Sequence, residues 1–514
     1  MRTKNSFFNF LASELSHAIN LVLSFICRTI FIYTLSQVYL GINGLFGNIL
    51  TVLSLAELGI GTAMIYHIYK PVAEGNILEQ QQLMNMYRRL YSIVAGVIGV
   101  VGLSLVPFLR VLVKDYDTYD GLVDLRIIYL LYLFNTVSSY FFSYKRAIID
   151  AHQKQYIGTI INTIFTTIQF LTQMVVLLVF KNFVLYLGVQ IVCNVLTNIV
   201  VAKQAEKMFP YIKENKKAMP PKEVKDSVYK NIGAMFFHRL GSVVVNDTDN
   251  LIMSAFVGLT TVGIYSNYQM IQYSINVALN GVFGAFTASI GNLGAIKEKE
   301  RMFHVYKTLN FLGFWLYGFS TVAFTVMYNP FIEAWAGKEY LFPMQIVLMF
   351  NIVFYVSGMR VTTLTFRDAL GLYWYDRYKP IFEIIINLSA SLYLVQKIGV
   401  LGIFFGTLIS TLCTGFWVEP YVTYKHGFHK PVRGFFGKYV VYAFSVLFAG
   451  VITYWICNYF TMGGWIEVIC KAITCALVYN LIIFLMYFKT KDFKALWDQI
   501  MILVTYYKNK KANN

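Results

Sequence analysis

The sequence predicts an all-α polytopic membrane protein, and three observations carry that class. Mean hydropathy is +0.57 over 514 residues, with 57% apolar and only 13% charged, which excludes ordinary soluble domains and disordered chains. Apolar runs of roughly 20 residues, enough to cross about 30 Å of hydrocarbon, can be laid out fourteen times. The Lys and Arg residues between those runs fall mainly on one side, as short cytoplasmic loops require.

Taken in order, the fourteen transmembrane helices are predicted over 11–36, 43–69, 87–112, 122–147, 153–179, 183–205, 229–256, 260–290, 304–330, 341–366, 380–396, 400–424, 436–458 and 465–488. The first is expected to be a span and not a cleavable signal, because Glu14, His17 and Arg28 interrupt it and it is too long for a signal core. Between the sixth and seventh spans, 206–228 combines Pro210, Pro220 and Pro221 with dense charge and reads as a cytoplasmic linker. The chain therefore divides into an N-terminal six-helix bundle (1–205), the linker, a C-terminal six-helix bundle (229–424), two additional helices within 425–488, and a basic tail (489–514). A short internal repeat agrees with two pseudo-symmetric halves: Gly44-Leu-Phe-Gly-Asn48 recurs 219 residues later as Gly263-Ile-Tyr-Ser-Asn267. The stretch 71–89 reads equally well as an amphipathic surface helix or a solvated connector.

With both termini cytoplasmic, 33 of the 43 basic residues lie inside and seven outside, while Arg28, Arg239 and Arg360 lie within spans. Three acids, Glu57, Asp247 and Asp249, share the spans with them, so the whole formal charge of +17 faces the cytoplasm. Spread over every inner loop, this excess fits topogenesis and contact with anionic membrane lipid, and no nucleic-acid partner is expected. The six cysteines are scattered singly, without metal-type spacing, and imply neither a metal site nor a disulfide framework.

Polar residues inside spans are the candidate functional groups, since an ionised side chain at mid-membrane costs roughly 2.5–3.5 kcal/mol. Span 1 aligns His17, Asn20, Ser24 and Arg28 at helical spacing, and span 7 aligns Arg239, Ser242, Asn246 and Asp249. Span 8 carries Gln269, Gln272, Asn276 and Asn280, and span 5 carries Asn162, Thr166, Gln169 and Gln173. Such stripes predict a hydrated cavity between the halves, with Arg28, Arg239, Arg360, Asn20, Ser24, Asn246, Gln272 and Asn276 binding substrate. The competing reading for each Asn, Gln or Ser is a bond to a neighbouring helix, and Arg360 is close enough to the inner end of its span to snorkel. Glu57, Asp247 and Asp249 are candidates for ion coupling; Glu57 is also placed to pair with Arg28. Guanidinium groups in such a cavity suit a phosphorylated, anionic substrate, and neutral Asn and Gln suit sugar hydroxyls.

Enzymatic signals are weak. Asp115-Tyr-Asp117 formally resembles the metal-binding pair of sugar transferases, yet it reads as a solvated acidic turn, and no catalytic or metal-ligating set emerges. Gly59-Ile-Gly61 has no Lys-Ser/Thr after it and is not a nucleotide loop, so no cofactor is expected; coupling would draw on protons, sodium or the membrane potential.

Several stretches resemble one family. Tyr39 to Leu50 (YLGINGLFGNIL), Leu55 to Gly61 (LAELGIG) and Tyr69-Lys-Pro71 are similar to the N-terminal signature of bacterial polysaccharide-repeat flippases. So are Phe366 to Ile381 (FRDALGLYWYDRYKPI), with Glu383 and Asn387, and Gly402 to Ser410 (GIFFGTLIS). The resemblance, to the multidrug/oligosaccharidyl-lipid/polysaccharide exporter superfamily, implies two six-helix bundles in a V and alternating access. It implies transfer of an undecaprenyl-diphosphate-linked oligosaccharide from the inner to the outer leaflet of the bacterial cytoplasmic membrane for cell-surface polysaccharide. Partners would be that lipid-linked glycan, membrane lipid and other polysaccharide-assembly proteins. Related lipid II flippases have fourteen spans with an added helix pair, as counted here. Two rivals stay open: a cation-coupled multidrug exporter of the same fold, which predicts a cavity rich in acids, and a membrane glycosyltransferase or polymerase.

Overall fold

The computed structural model describes residues 2–512 except 58, 115, 120–123, 215–217, 285, 287–289 and 291–298. At 2–4, 6, 7, 10, 56, 62, 234, 235, 237–247, 373, 500, 502–504 and 506–512 it describes the backbone alone. Helices occupy all fourteen predicted ranges, and among the described residues there is no strand. Among the described residues, eleven helices are long and apolar enough to cross a membrane, as a multi-pass membrane protein requires.

The chain forms two compact units, Met1–Ser266 and Asn267–Asn514. Within the first, helix Arg2–Thr34 lies against Gln155–Val179, which in turn packs on Phe183–Met208. Predicted span 2 is broken. Helix Gln37–Leu53 gives way to a 3-10 turn, Ser54–Glu57, and Ile60–Glu74 begins beyond Gly59, whose φ of 90° lies in the left-handed region that suits glycine.

The first unit extends past the predicted linker because helix Lys222–Phe256 packs along both pieces of the broken helix. Its contacts include Asn231 Nδ2 to His67 Nε2 at 2.9 Å and the Lys114 amide donating to the Ser254 carbonyl at 3.1 Å. Close helix packing occurs beside the internal repeat. A Cβ on Gly41 would stand 1.9 Å from the Leu259 carbonyl oxygen, and one on Gly263 would stand 2.4 Å from that of Gln37. The two helices thus press backbone to backbone at Gly41 and Gly263, just ahead of the first copy and at the start of the second.

The 71–89 stretch is neither of the alternatives offered above. Residues from Ile77 form the first turns of helix Ile77–Leu105, and its buried amides hold the proline-rich segment in place. Gln81 Nε2 donates to the carbonyls of Tyr211 and Glu214, both at 2.7 Å, and Asn85 Nδ2 to that of Ala218 at 3.0 Å. Those buried amides are satisfied by backbone carbonyls of the proline-rich segment.

In the second unit, helix Lys299–Ala336 is the axis of an aromatic core. The additional helices, Arg433–Cys457 and Gly464–Tyr487, are part of that core and not an appendage: Tyr442 stacks on Phe314 with ring centroids 4.2 Å apart, and Tyr479 and Ile483 are fully buried. Trp315 Nε1 donates to Asn480 Oδ1 at 2.6 Å, tying the same helices by a polar bond.

Candidate functional site

The break in predicted span 2 positions Glu57 in the wall of a cavity of about 430 Å³ inside the first unit. Its walls come from Tyr87 and Tyr91 on one helix and Ser139, Tyr140 and Ser143 on another, with Arg146 and Asp150 on the short helix Arg146–Ala151. Tyr87 and Tyr91 stand one helical turn apart, so both phenols face the same way. Tyr91 donates to Glu57 Oε1, Tyr140 donates to Oε2 at 2.8 Å, and Tyr87 donates to Tyr91 at 2.9 Å. Gly61 completes the cradle: a Cβ there would lie 3.2 Å from both the Tyr87 and Tyr91 hydroxyls.

Beyond the tyrosines, Arg146 Nε lies 3.7 Å from Asp150 Oδ2, and Asp150 Oδ1 is buried without a hydrogen bond. Burial pushes the Asp150 carboxyl up from its ordinary range, against the lowering pull of Arg146. The arrangement is a carboxylate held by two phenols, with a second, desolvated carboxyl lining the same cavity. Chemically it is suited to taking up and passing a proton or a small cation. The sequence pointed to Glu57 but missed the tyrosines, Arg146 and Asp150; the four-residue spacing of Tyr87 and Tyr91 was the available signal.

The remaining predicted residues divide among the first unit, the second unit and side chains outside the described residues. Arg28 is half-buried and donates through Nη2 to Ser266 Oγ, within the first unit. Asn20 donates to Ser16 Oγ at 3.3 Å, which also accepts from Thr163 on the neighbouring helix at 2.7 Å. Ser24 returns its hydroxyl to the Leu21 carbonyl. The span 5 stripe also turns to a neighbour, with buried Gln173 donating to the Tyr186 carbonyl at 3.1 Å. These are the interhelical and intrahelical bonds of the competing reading. Asp249 is buried, Asn276 is half-buried, and Gln272 keeps a buried amide nitrogen without a hydrogen bond. Side chains of Arg239, Ser242, Asn246 and Asp247 lie outside the described residues.

Arg360 does not snorkel. It donates to both oxygens of Glu419, from Nε at 2.9 Å and Nη2 at 2.6 Å, and its Nη1 lies 3.5 Å from Glu383 Oε1. Lys379 joins the same carboxylates at 2.6 and 3.0 Å. Gly415 makes room for the guanidinium, since a Cβ there would sit 2.5 Å from its Cζ. The cluster is two cations against two anions, with Glu419 0% exposed; the sequence reading gave Glu419 no role.

No protein-family model and no curated protein matches the sequence. Solved structures do match the fold. The lipid II flippase MurJ, in an inward closed conformation, superposes with a TM-score of 0.64 at 13% identity, covering 94% of this chain and 99% of its own. An inward-facing multidrug resistance MATE-family transporter of the MOP superfamily gives 0.62 at 13% identity, over 78% of this chain and 94% of its own. The chain has the fold of these transporters. The Vibrio cholerae MATE transporter VcmN extends the likeness, at a TM-score of 0.53 and 12% identity over 83% of this chain and 99% of its own.

Proposed function

We propose that this protein is a flippase that carries an undecaprenyl-diphosphate-linked oligosaccharide from the inner to the outer leaflet of a bacterial cytoplasmic membrane by alternating access. The observation that carries this reading over drug export is the extent of the likeness. The flippase accounts for 94% of the chain and the first MATE transporter for 78%, although each is matched over nearly its whole length. In this proposal Arg28 and Arg239 attract the diphosphate, neutral groups such as Gln272 and Asn276 meet sugar hydroxyls, and the polyprenyl tail stays in lipid. Arg360, with its nitrogens committed to Glu419 and Glu383, supports the second unit.

A substrate bound equally in both states biases neither, so direction requires a second source of free energy. We assign that coupling to Glu57 and its tyrosines, with Asp247 and Asp249 as further candidates. The test is leaflet-resolved accumulation of lipid-linked glycan in cells depleted of the protein. Inner-leaflet accumulation that wild-type chain relieves and Arg28→Ala does not, at equal protein level, is the expected result. Normal glycan distribution on depletion, together with resistance to cationic dyes conferred by the chain, would replace the flippase reading with the drug-exporter one.

A further inference from the structure

At the end of helix segment Gly415–Val422 a set of side chains recurs every four residues: Trp417, Tyr421, Lys425 and His429. Trp417 and Tyr421 are 50% and 42% exposed, an aromatic pair of the kind that marks the headgroup level of a bilayer. Lys425 and His429 continue the stripe into polar surroundings. The helix does not end normally, because Thr423–Phe428 widens into a π-helix, a rare form concentrated at functional sites. Next comes His429 at φ 55°, a left-handed conformation uncommon outside glycine. This turn folds the chain back so that Lys430, Pro431 and Val432 wall a pocket of about 480 Å³ with Tyr421, Lys425 and His429.

Two lysines, Lys425 and Lys430, are among the residues that line the pocket. The exposed Lys425 donates to Tyr421 Oη at 2.7 Å, and the His429 Nδ1–H donates to the Lys425 carbonyl at 2.9 Å, which turns Nε2 away from that bond. Lys430 lies 4.8 Å above the Phe303 ring and 2.9 Å from a carboxylate oxygen of Glu300, a residue whose side chain is mostly in solvent. Such a surface pair is weak and exchangeable. Two lysines, a histidine and a tyrosine hydroxyl around a headgroup-sized space, flanked by interfacial aromatics, match a phosphate group held at membrane depth.

We propose that this pocket binds the phosphate of an anionic phospholipid, at a site that shares no residue with the groups proposed for substrate binding and coupling. The experiment uses full-length protein in neutral-detergent micelles with a fluorescent phosphatidylglycerol as probe. Its competitors are unlabelled phosphatidylglycerol, phosphatidylcholine and inorganic phosphate. Phosphatidylglycerol should compete at least about tenfold better than phosphatidylcholine, and the Lys425→Gln/Lys430→Gln double variant should weaken binding by roughly tenfold or more, with its thermal midpoint unchanged. Glu300→Gln, which releases Lys430, should tighten binding several-fold. Equal competition by phosphatidylcholine overturns the proposal, as does wild-type affinity in the double variant. Displacement by inorganic phosphate at the same concentration as lipid assigns the pocket to soluble phosphate and overturns the lipid assignment.

Discussion

At the scale of single residues, Glu57 is held by two phenol donors, and its exchange for glutamine keeps the shape while removing the charge and the titratable proton. Glu57→Gln is therefore expected to fold normally yet slow translocation by at least about tenfold, the range of a lost proton-transfer group. Tyr91→Phe, which cuts the link to Tyr87, should give a smaller loss; transport in proteoliposomes with an imposed pH gradient checks both. Unchanged gradient dependence in Glu57→Gln would remove the coupling role. Asp150 makes a separate prediction. A carboxyl raised in the folded state favours folding below its unfolded value, and that contribution is lost as pH rises through the raised one. Asp150→Asn should accordingly raise the thermal midpoint near about pH 8 and change it little near about pH 4. Glu57 was legible because an acid in an apolar run is conspicuous. Its tyrosines were not, since a phenol in a membrane helix looks like core until its partner is known.

Between elements, two devices set helix positions. The glycine contact of Gly41 with Leu259 leaves no room for a methyl group, because the obstructing atom is backbone and cannot rotate away. Gly41→Ala should cost about 1–3 kcal/mol, an overpacking penalty, whereas Gly47→Ala, with nothing near its Cβ, should be neutral or slightly stabilising. Thermal unfolding of both variants measures the difference. The second device is the Arg360–Glu419 cluster. Glu419→Gln leaves two buried cations sharing Glu383, and breaking a buried pair from one side costs about 3–5 kcal/mol. An Arg360→Met/Glu419→Met double variant, which retains the Lys379–Glu383 pair, should recover most of that loss. Failure to recover would show that the guanidinium does more than neutralise charge. Helix ranges were readable from apolar run length, but the break after Leu53 was not. The turn at Ser54–Glu57 occurs inside a run long enough to read as one span, and Gly59 was the local hint.

For the whole molecule, the additional helix pair is the part whose importance composition understated. Removing 433–514 would strip Phe311, Phe314 and Val322 of Tyr442, Val446 and Tyr479, exposing a face of large aromatic side chains. The truncated chain is expected to be lost from the membrane fraction altogether, instead of persisting as an inactive transporter, and quantitative blotting beside fluorescence-detected size exclusion tests this. Sequence alone determined the membrane class, the helix ranges and the charge bias, because hydrocarbon imposes its requirements locally, on each run of about 20 residues. It also singled out Glu57 and the arginines as costly groups in need of partners. The partners themselves were decided by tertiary structure. Glu419 for Arg360, Tyr91 and Tyr140 for Glu57, and Leu259 for Gly41 each come from residues at least 34 positions away in the chain, and no local pattern encodes which distant group will satisfy a buried charge or fill the space beside a glycine.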